Sequence, residues 1–485
     1  MVGILSAGIY VPRRRLQRSA IFAANSWFAP GLKRAAKGQK AVSNWDEDAI
    51  TMAVEASRNC LAGVDRADIE SVALASTTLP FVDRSNAGIV KEALNLADAT
   101  GAADTTGSRR AATSGLINAL GGTKTQLCIS SDNRKAKPAS PAEMSYGDGA
   151  AAVLIGEGDT IANYIGGRSV TIDFVDQYRA SGVDFDYAWE SRFARDEGYQ
   201  KILGAAIIDA LAALNLEGSD IAHAAIGVPV SRIPRALAKA AGINPDNVCD
   251  DLAANVGDVG VSYPVMLLAN ILETAKPGEK ILVTGFGQGA DVLVFEATKA
   301  ITAYQAKSAV AAEIAGGLED DNYMRYLFHR GLLDIEKGMR AEMDEKQPGT
   351  TLARSRKAVL GLIGGRCAKT GTVQFPKTDI SVNPNSRESH TQEDYPFAER
   401  AAKVASYTAD SLTYSPDPPG YYGMIDFEGG GRMVAEFTDV SADDVFVGGD
   451  MRMVFRIKAV DERRDFIKYF WKATPVRGHN KNGAN

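Results

Sequence analysis

Cysteine is scarce: Cys60, Cys128, Cys249 and Cys367 are the only four in 485 residues, and no two of them form a CxxC pair. Neither a disulfide framework nor a complete zinc site is indicated by that spacing. Histidine is as rare, with His223, His329, His390 and His479, which leaves few bases for a Ser/His or Cys/His pair. No apolar run reaches the roughly 20 residues that span a bilayer. The N-terminal Met1-Val2-Gly3-Ile4-Leu5-Ser6 precedes the basic Arg13-Arg14-Arg15, the reverse of a secretory signal. No long basic run occurs and the net charge is −6, so neither nucleic acid nor a membrane is an expected partner. The 45% hydrophobic and 24% charged residues suit two or three buried cores. The composition therefore points to a cytoplasmic protein with small-molecule chemistry.

The stretch from Asp104 to Thr113 leads from a small-residue turn into the apolar helical run Leu116-Ile117-Asn118-Ala119-Leu120. A turn of that kind aims helix N-terminal amides at whatever binds there. Arg109 and Arg110, read as lying in the first turn, oppose the helix dipole by roughly 0.3–1 kcal/mol each. Either a carboxylate from elsewhere in the fold or a bound anion is expected to offset them.

A phrase of helix, acidic turn and strand occurs twice. Ile50 to Leu61 leads to Asp68–Ser76, and Ile207 to Leu216 leads to Asp220–Val228. Each copy continues with a short helix (Ala87 to Leu94; Ile233 to Ala241) and a polar turn into an Ala/Gly-rich helix (Asp104 to Leu120; Asn255 to Leu272). Each then closes on a strand pair, Leu127–Ile129 with Ala152–Ile155, and Lys280–Val283 with Asp291–Phe295. This alternation predicts an α/β fold made by duplication, with a site where the two Ala/Gly-rich helices begin.

Beyond about residue 300 the texture changes. Residues 301–345 read as polar and helical, with Tyr323–Phe328 the most apolar patch and Pro348-Gly349 a break. Gly364 to Gly371, followed by Phe375-Pro376, looks like a turn-rich knuckle. The alternating runs Gly423–Phe427, Arg432–Phe437 and Met451–Ile457 predict a small antiparallel barrel, and Asn480 to Asn485 a disordered tail.

Residues 1–300 resemble the thiolase superfamily, in particular 3-hydroxy-3-methylglutaryl-CoA synthase and ketoacyl synthase III. The likeness is carried by Val42 to Met52, Asp104-Thr105-Thr106, Gly147-Asp148-Gly149-Ala150 and Gly285-Phe286-Gly287-Gln288-Gly289. Residues 350–476 resemble an acyl-CoA-associated module in which a rubredoxin-like knuckle precedes an OB-fold. The implied fold is a duplicated thiolase-like layered α/β structure with a C-terminal antiparallel β-barrel. Its expected parts are a first half over 1–165, a second over 166–300 and a helical linker or docking arm over 301–362. A degenerate zinc-knuckle-like segment over 363–400, an OB-fold over 401–476 and a tail over 477–485 complete the division.

The resemblance implies a catalytic set that this chain does not carry. The family's cysteine nucleophile, activated at a helix start, falls on Arg109; its glutamate falls on Thr77, its histidine on Gly227 and its asparagine on Asp258. His223, inside the predicted strand, reads as a core or edge histidine. Ser108 is a replacement nucleophile without an evident base. Asp258 and Asn255, taken as a helix start, are either caps and dipole partners or, for Asp258, a general base or a partner of Arg109. Gly285, Phe286 and Gly287 either supply amides to a thioester oxygen or form a tight turn between strands. Arg110 and Thr77 are further substrate-binding candidates; Tyr146 and Glu143 are weaker ones. In the knuckle, related modules bind zinc through paired CxxC motifs, whereas here only Cys367 remains, Thr370 falls on its partner and the returning pair falls in Asp379–Asn383. No metal and no permanently bound cofactor are expected.

The functional expectation is an enzyme that makes or breaks a carbon–carbon bond in an acyl-CoA thioester, by aldol, retro-aldol or thiolase-like chemistry, without a cysteine acyl-enzyme. Two alternatives stay open: a non-catalytic CoA-binding or scaffolding subunit of a thiolase complex, and an acyltransferase of the 3-hydroxy-3-methylglutaryl-CoA synthase type. The expected partners are the acyl-CoA substrate, a second copy of the chain through residues 1–300, and a partner thiolase.

Overall fold

The structure, a computed structural model, describes residues 1–338 and 348–476; the tail at 477–485 lies outside the described residues. The chain forms two units, one built from residues 1–43, 48–91 and 96–326, the other from 44–47, 92–95 and 327 onward.

The first unit carries a nine-stranded sheet. From one edge it runs Gly101–Thr105, Ser71–Ala75, Gln126–Asp132, Gly149–Glu157 and Val2–Tyr10, then Ala162–Thr171, Gly289–Ala297, Lys280–Phe286 and Ile221–Ile226. Within each half an antiparallel pair is followed by a parallel one: Gly149–Glu157 runs against Gln126–Asp132, which lies parallel to Ser71–Ala75. In the second half Gly289–Ala297 runs against Lys280–Phe286, which lies parallel to Ile221–Ile226. A single bridge between Ala224 and Val248 stands where the first half has its fifth strand. The internal repeat thus appears as one strand order used twice. Strand Ala162–Thr171, which opens the second half, spans the 165/166 division.

Small residues let the helices approach the sheet closely. A Cβ on Gly8 would lie 2.2 Å from the Cys60 amide nitrogen, so only glycine lets strand Val2–Tyr10 pack on helix Ala49–Cys60. That helix starts in a capping box: Asp48 accepts from the Thr51 amide at 2.9 Å, and Thr51 Oγ1 accepts from the Asp48 amide at 2.8 Å. Helices Ala111–Leu120 and Tyr263–Leu272 share one apolar core, through Ala112, Leu116 and Leu120 of the first and Val265, Met266 and Leu268 of the second. A second core joins Leu203, Ile207, Ile226 and Leu237 on the other side of the second half.

Two helix starts differ from expectation. Asp104 and Thr105 end a strand, and the helix begins at Ala111, so Arg109 and Arg110 precede its first turn. Asn255 lies in a turn, and the second helix begins at Tyr263 after the 3-10 turn Gly260–Ser262. Pro264, in the first turn, marks that true start: its ring presets a helical φ and its missing N–H would have had no partner there. The front of the supposed arm belongs to the first unit, where Leu318–Asp320 pairs with Arg14–Leu16 and Arg14 bonds Asp320 at 3.2 Å.

In the second unit a three-stranded sheet, in the order Val373–Gln374, Ile363–Cys367 and Gln392–Pro396, precedes the barrel. At the knuckle Cys367 Sγ lies 3.2 Å from Thr391 Oγ1, and Thr370, Thr372 and Asn383 are joined by hydrogen bonds of 2.9 Å. Hydroxyls and an amide therefore cross-link a loop that related modules tie with a metal. Among the described residues no group of three or more His, Cys, Asp or Glu side chains is placed to hold a metal ion. The barrel sheet runs Arg432–Glu436, Gly420–Phe427, Ala402–Asp410, Asp450–Asp461 and Phe466–Pro475. A bridge from Phe437 to Ala473 brings its last strand back to its first, which closes the barrel.

Candidate functional site

The residues before helix Ala111–Leu120 are held by the hairpin that joins Lys280–Phe286 to Gly289–Ala297. A Cβ on Gly287 would lie 2.8 Å from Ser108 Oγ and 3.0 Å from the Arg109 amide nitrogen. Glycine is required by that approach. The Gly287 carbonyl then accepts from Ser108 Oγ at 2.8 Å and from Arg110 Nε at 3.0 Å. Ser108 thus donates to a backbone oxygen, and no base faces it. The Gly287 amide donates to Gly289 O at 3.0 Å, and Gly285 pairs with Asp291 inside the ladder. The glycine run is a tight turn whose Gly287 amide is already used, contrary to the expected amide donor for a thioester.

Arg110 does not face a ligand. Its Nη1 lies 2.8 Å from Oδ1 of the fully buried Asp291, which also accepts from Thr113, Ser114 and Ser169. Its Nη2 donates to Thr171 Oγ1 at 2.6 Å. The substrate-binding expectation for Arg110 is corrected: the carboxylate that offsets it comes from the fold itself.

Arg109 reaches the other way. Its Nη2 lies 2.7 Å from Asp258 Oδ2, and its Nη1 donates to Gln177 Oε1 at 3.2 Å. Arg134, which sequence reasoning missed, takes the same Asp258 oxygen at 2.7 Å and lies with its guanidinium 3.8 Å from the Tyr146 ring centroid. Asp258 is fixed through its backbone, since its amide donates to Ser145 O at 2.8 Å and its carbonyl accepts from the Gly147 amide at 2.9 Å. Gly147 must be glycine there, because a Cβ would fall 2.0 Å from Val256 O. Burial alone would raise the Asp258 carboxyl, but Arg109, Arg134 and the Gly260 amide outweigh it and hold it at about 2. Burial likewise opposes the charge on Arg109, yet Asp258, Tyr199, Tyr146 and Asp176 raise its pKa above the ordinary arginine value.

These groups border a narrow cavity of about 10 Å³, lined by Arg109, Tyr199, Gly227, Gly260, Tyr263 and Phe286 among others. Arg109 and Gly227, which the resemblance sets at the family's cysteine and histidine, both line it, and neither supplies a nucleophile or an imidazole. Tyr199 sits in a π-helical segment, Ala194–Leu203, a helix form that recurs at functional sites, and its ring meets Phe286 edge-on at 5.0 Å. Burial pushes the Tyr199 phenol up to about 12. Thr77 belongs to a neighbouring knot: its amide donates to the buried Asp132 at 2.7 Å, Val261 donates to the other oxygen of Asp132 at 2.9 Å, and the Thr77 carbonyl accepts from Arg179. Arg179 in turn holds Asp186 at 2.9 Å, which accepts from the Tyr146 hydroxyl at 2.9 Å.

Other expected residues lie apart. Asn255 is exposed in its turn, where its amide donates to Leu252 O at 3.2 Å. Glu143 is buried in a separate network with Tyr323, whose hydroxyl donates to it at 2.9 Å, and burial raises its carboxyl. His223 is a half-buried strand residue paired with Glu279 at 2.8 Å. Arg134, Gln177, Asp186 and Tyr199 had no counterpart in the internal repeat. Their one sequence signal is Arg134 itself, an arginine two residues past an apolar strand end at Asp132.

Comparison with known proteins sets this geometry in context. The chain is 32% identical over 311 residues to a hydroxymethylglutaryl-CoA synthase from Methanosphaera stadtmanae, an alignment covering 61% of this chain and 88% of the relative. It is 30% identical over 344 residues to the Archaeoglobus fulgidus protein of that name, covering 68% of this chain and 98% of the relative. Among solved structures, MvaS in complex with 3-hydroxy-3-methylglutaryl coenzyme A superposes with a TM-score of 0.60 at 18% identity, covering 81% of this chain and 99% of that one. The 3-oxoacyl-(acyl carrier protein) synthase III of Pseudomonas aeruginosa gives 0.55 at 20% identity, covering 61% and 98%. Residues 396–456 match the ChsH2 C-terminal OB-fold domain. The fold is therefore thiolase-like α/β with a C-terminal OB-fold.

Proposed function

The chain belongs to the hydroxymethylglutaryl-CoA synthase family, and from that membership we propose that it makes or breaks a carbon–carbon bond in an acyl-CoA thioester without a cysteine acyl-enzyme. It is an enzyme of CoA-thioester chemistry whose relatives are named hydroxymethylglutaryl-CoA synthases. The observation that carries the finer reading is the Arg109–Asp258 ion pair of 2.7 Å, at the position that the resemblance gives to the family's thiolate. A guanidinium cannot attack a thioester; it can donate hydrogen bonds to the enolate oxygen that aldol or retro-aldol chemistry develops. Cys60, Cys128 and Cys249 do not replace the thiolate, since burial pushes each up to about 12. The synthase-type acyltransferase reading, to which the relatives' names belong, would need a thiolate other than these three.

One observation favours a second reading, a CoA-binding or scaffolding subunit of a thiolase complex. Asp258, held at about 2, is a weak base. The test is turnover by the purified chain. Incubation with 3-hydroxyacyl-CoA substrates is expected to release a shorter acyl-CoA and a carbonyl compound. Activity only after adding a thiolase would instead support the scaffold.

We further propose a cytoplasmic homodimer with coenzyme A bound only as the substrate's thioester. The four unpaired cysteines suit a reducing compartment. Among the described residues no helix is long and apolar enough to cross a membrane.

A further inference from the structure

The ion pair at Arg109 leaves the proposed chemistry without a base, and one buried carboxylate close to it, held by the backbone amides of Gln177 and of its own residue, keeps one oxygen unpartnered. Asp176 is 5% exposed, and its Oδ1 has no hydrogen-bond partner. Its backbone carbonyl is occupied by the Trp189 amide at 2.9 Å, so the main chain at Asp176 is fixed while half of the carboxylate is not satisfied. The next residue, Gln177, accepts from Arg109 Nη1 at 3.2 Å. The terminal nitrogens of Arg109 bond Gln177 and Asp258, and Asp176 lies within the field of the guanidinium. Asp258, Tyr199 and Tyr146 lie within the same field. Arg109 and Tyr199 both line the cavity.

A buried polar atom without a partner costs roughly 1–3 kcal/mol and calls for an explanation such as a catalytic role. We propose that Asp176 is the proton acceptor of the Arg109 cavity. This rests on the thioester reading above. With a 3-hydroxyacyl-CoA bound, the 3-hydroxyl gives its proton to Asp176 Oδ1 and the C2–C3 bond breaks. The oxygen at C3 becomes the carbonyl of the released aldehyde or ketone, and the electron pair of the broken bond forms the enolate of the shorter acyl-CoA. Return of the proton from Asp176 to C2 completes the acyl-CoA and restores the carboxylate. Burial raises the Asp176 carboxyl above the ordinary aspartate range, with Arg109 opposing, which moves it toward the working pH of a general base.

The experiment uses the full chain with a panel of 3-hydroxyacyl-CoA thioesters, comparing Asp176→Asn, Asp176→Glu and Asp258→Asn. Asp176→Asn is expected to lower kcat about 100-fold or more with KM little changed. It is also expected to abolish the acid-side inflection of the pH–rate profile and to leave the melting temperature unchanged or raised. Asp176→Glu is expected to recover part of the rate. Wild-type kcat and inflection in Asp176→Asn would overturn the assignment while leaving the thioester reading intact. Absence of turnover in the wild-type chain would overturn both.

Discussion

Oδ2 of Asp258 is shared by two guanidiniums, Arg109 and Arg134, each at 2.7 Å, and the two arginines differ sharply in exposure, 18% against 1%. That asymmetry makes the pair separable by mutation. Arg109→Ala leaves Asp258 bonded to Arg134 and to the Gly260 amide, so a loss of only about 1–2 kcal/mol is expected. Asp258→Ala removes the carboxylate that both guanidiniums share, leaving the buried Arg134 with the backbone carbonyl of residue 258 at 3.0 Å and Asp186 at 3.8 Å, and should cost roughly 3–5 kcal/mol. If Arg109 also contacts substrate, Arg109→Ala should weaken acyl-CoA affinity by roughly 2–5 kcal/mol with the fold intact. Melting temperatures and calorimetric affinities measure both. Unchanged affinity in Arg109→Ala would make the pair purely structural.

The same pairing sets an acid limit. The folded-state pKa of Asp258 is depressed from 3.8 to about 2, so the carboxylate's contribution is complete above the unfolded value and is lost as pH falls through the folded one. The difference amounts to about 2 kcal/mol, disappearing between about pH 4 and pH 2. Urea unfolding of Asp258→Asn across that window should show a correspondingly flatter pH dependence than the wild type. Parallel curves would mean that other carboxylates dominate.

Arg110 offers an internal control. Its partner Asp291 is fully buried and keeps hydroxyl donors from Thr113, Ser114 and Ser169. Arg110→Ala is therefore expected to destabilise by about 3 kcal/mol while leaving acyl-CoA affinity unchanged. A loss of affinity without a loss of stability would restore Arg110 to the binding site.

No covalent intermediate is expected. Cys60 and Cys128 are buried with thiols pushed up to about 12, and Ser108 donates to a backbone carbonyl. Intact-mass spectrometry after incubation with acyl-CoA should return the unmodified mass. A stable acyl adduct on Ser108 or on any cysteine would reject the proposed chemistry.

The duplication was legible because each half repeats the same order of apolar strand, short helix and Ala/Gly-rich helix, and burial forces that order into the same topology twice. Arg109 was legible from the small-residue turn that carries it, and Asp258 from the resemblance, which sets it at the family's asparagine. The rest of the site comes from where the repeat breaks. Gln177, Asp186 and Tyr199 lie between strand Ala162–Thr171 and helix Gly204–Ala213, in a hairpin and a π-helical turn, forms without a hydrophobic period to read. Asn255 does not start the second helix because polarity alone sets no helical φ, whereas the Pro264 ring does. Arg110 was misread because nothing local in the chain reveals a carboxylate 181 residues away.

The exposed edge of the large sheet carries the last prediction. Strand Gly101–Thr105 is bonded on one side only, in parallel, to Ser71–Ala75. Gly101, Ala102, Ala103 and Asp104 are exposed. Natural edges are commonly protected by lysine, proline or a bulge, and none of these occurs in Gly101-Ala102-Ala103-Asp104-Thr105. Asp104, the one charge, is turned to cap helix Asn86–Ala93, accepting from the Asn86 and Ala87 amides at 2.9 and 2.7 Å. An unpaired edge of small residues suits a second copy placed by twofold symmetry, which pairs the same strand with itself. Ala102→Lys is expected to convert a dimer at micromolar concentration to monomer, with far-UV circular dichroism unchanged because the position is exposed. Sedimentation velocity of both proteins decides: a monomeric wild type, or a lysine variant that remains dimeric, would remove this edge as the interface.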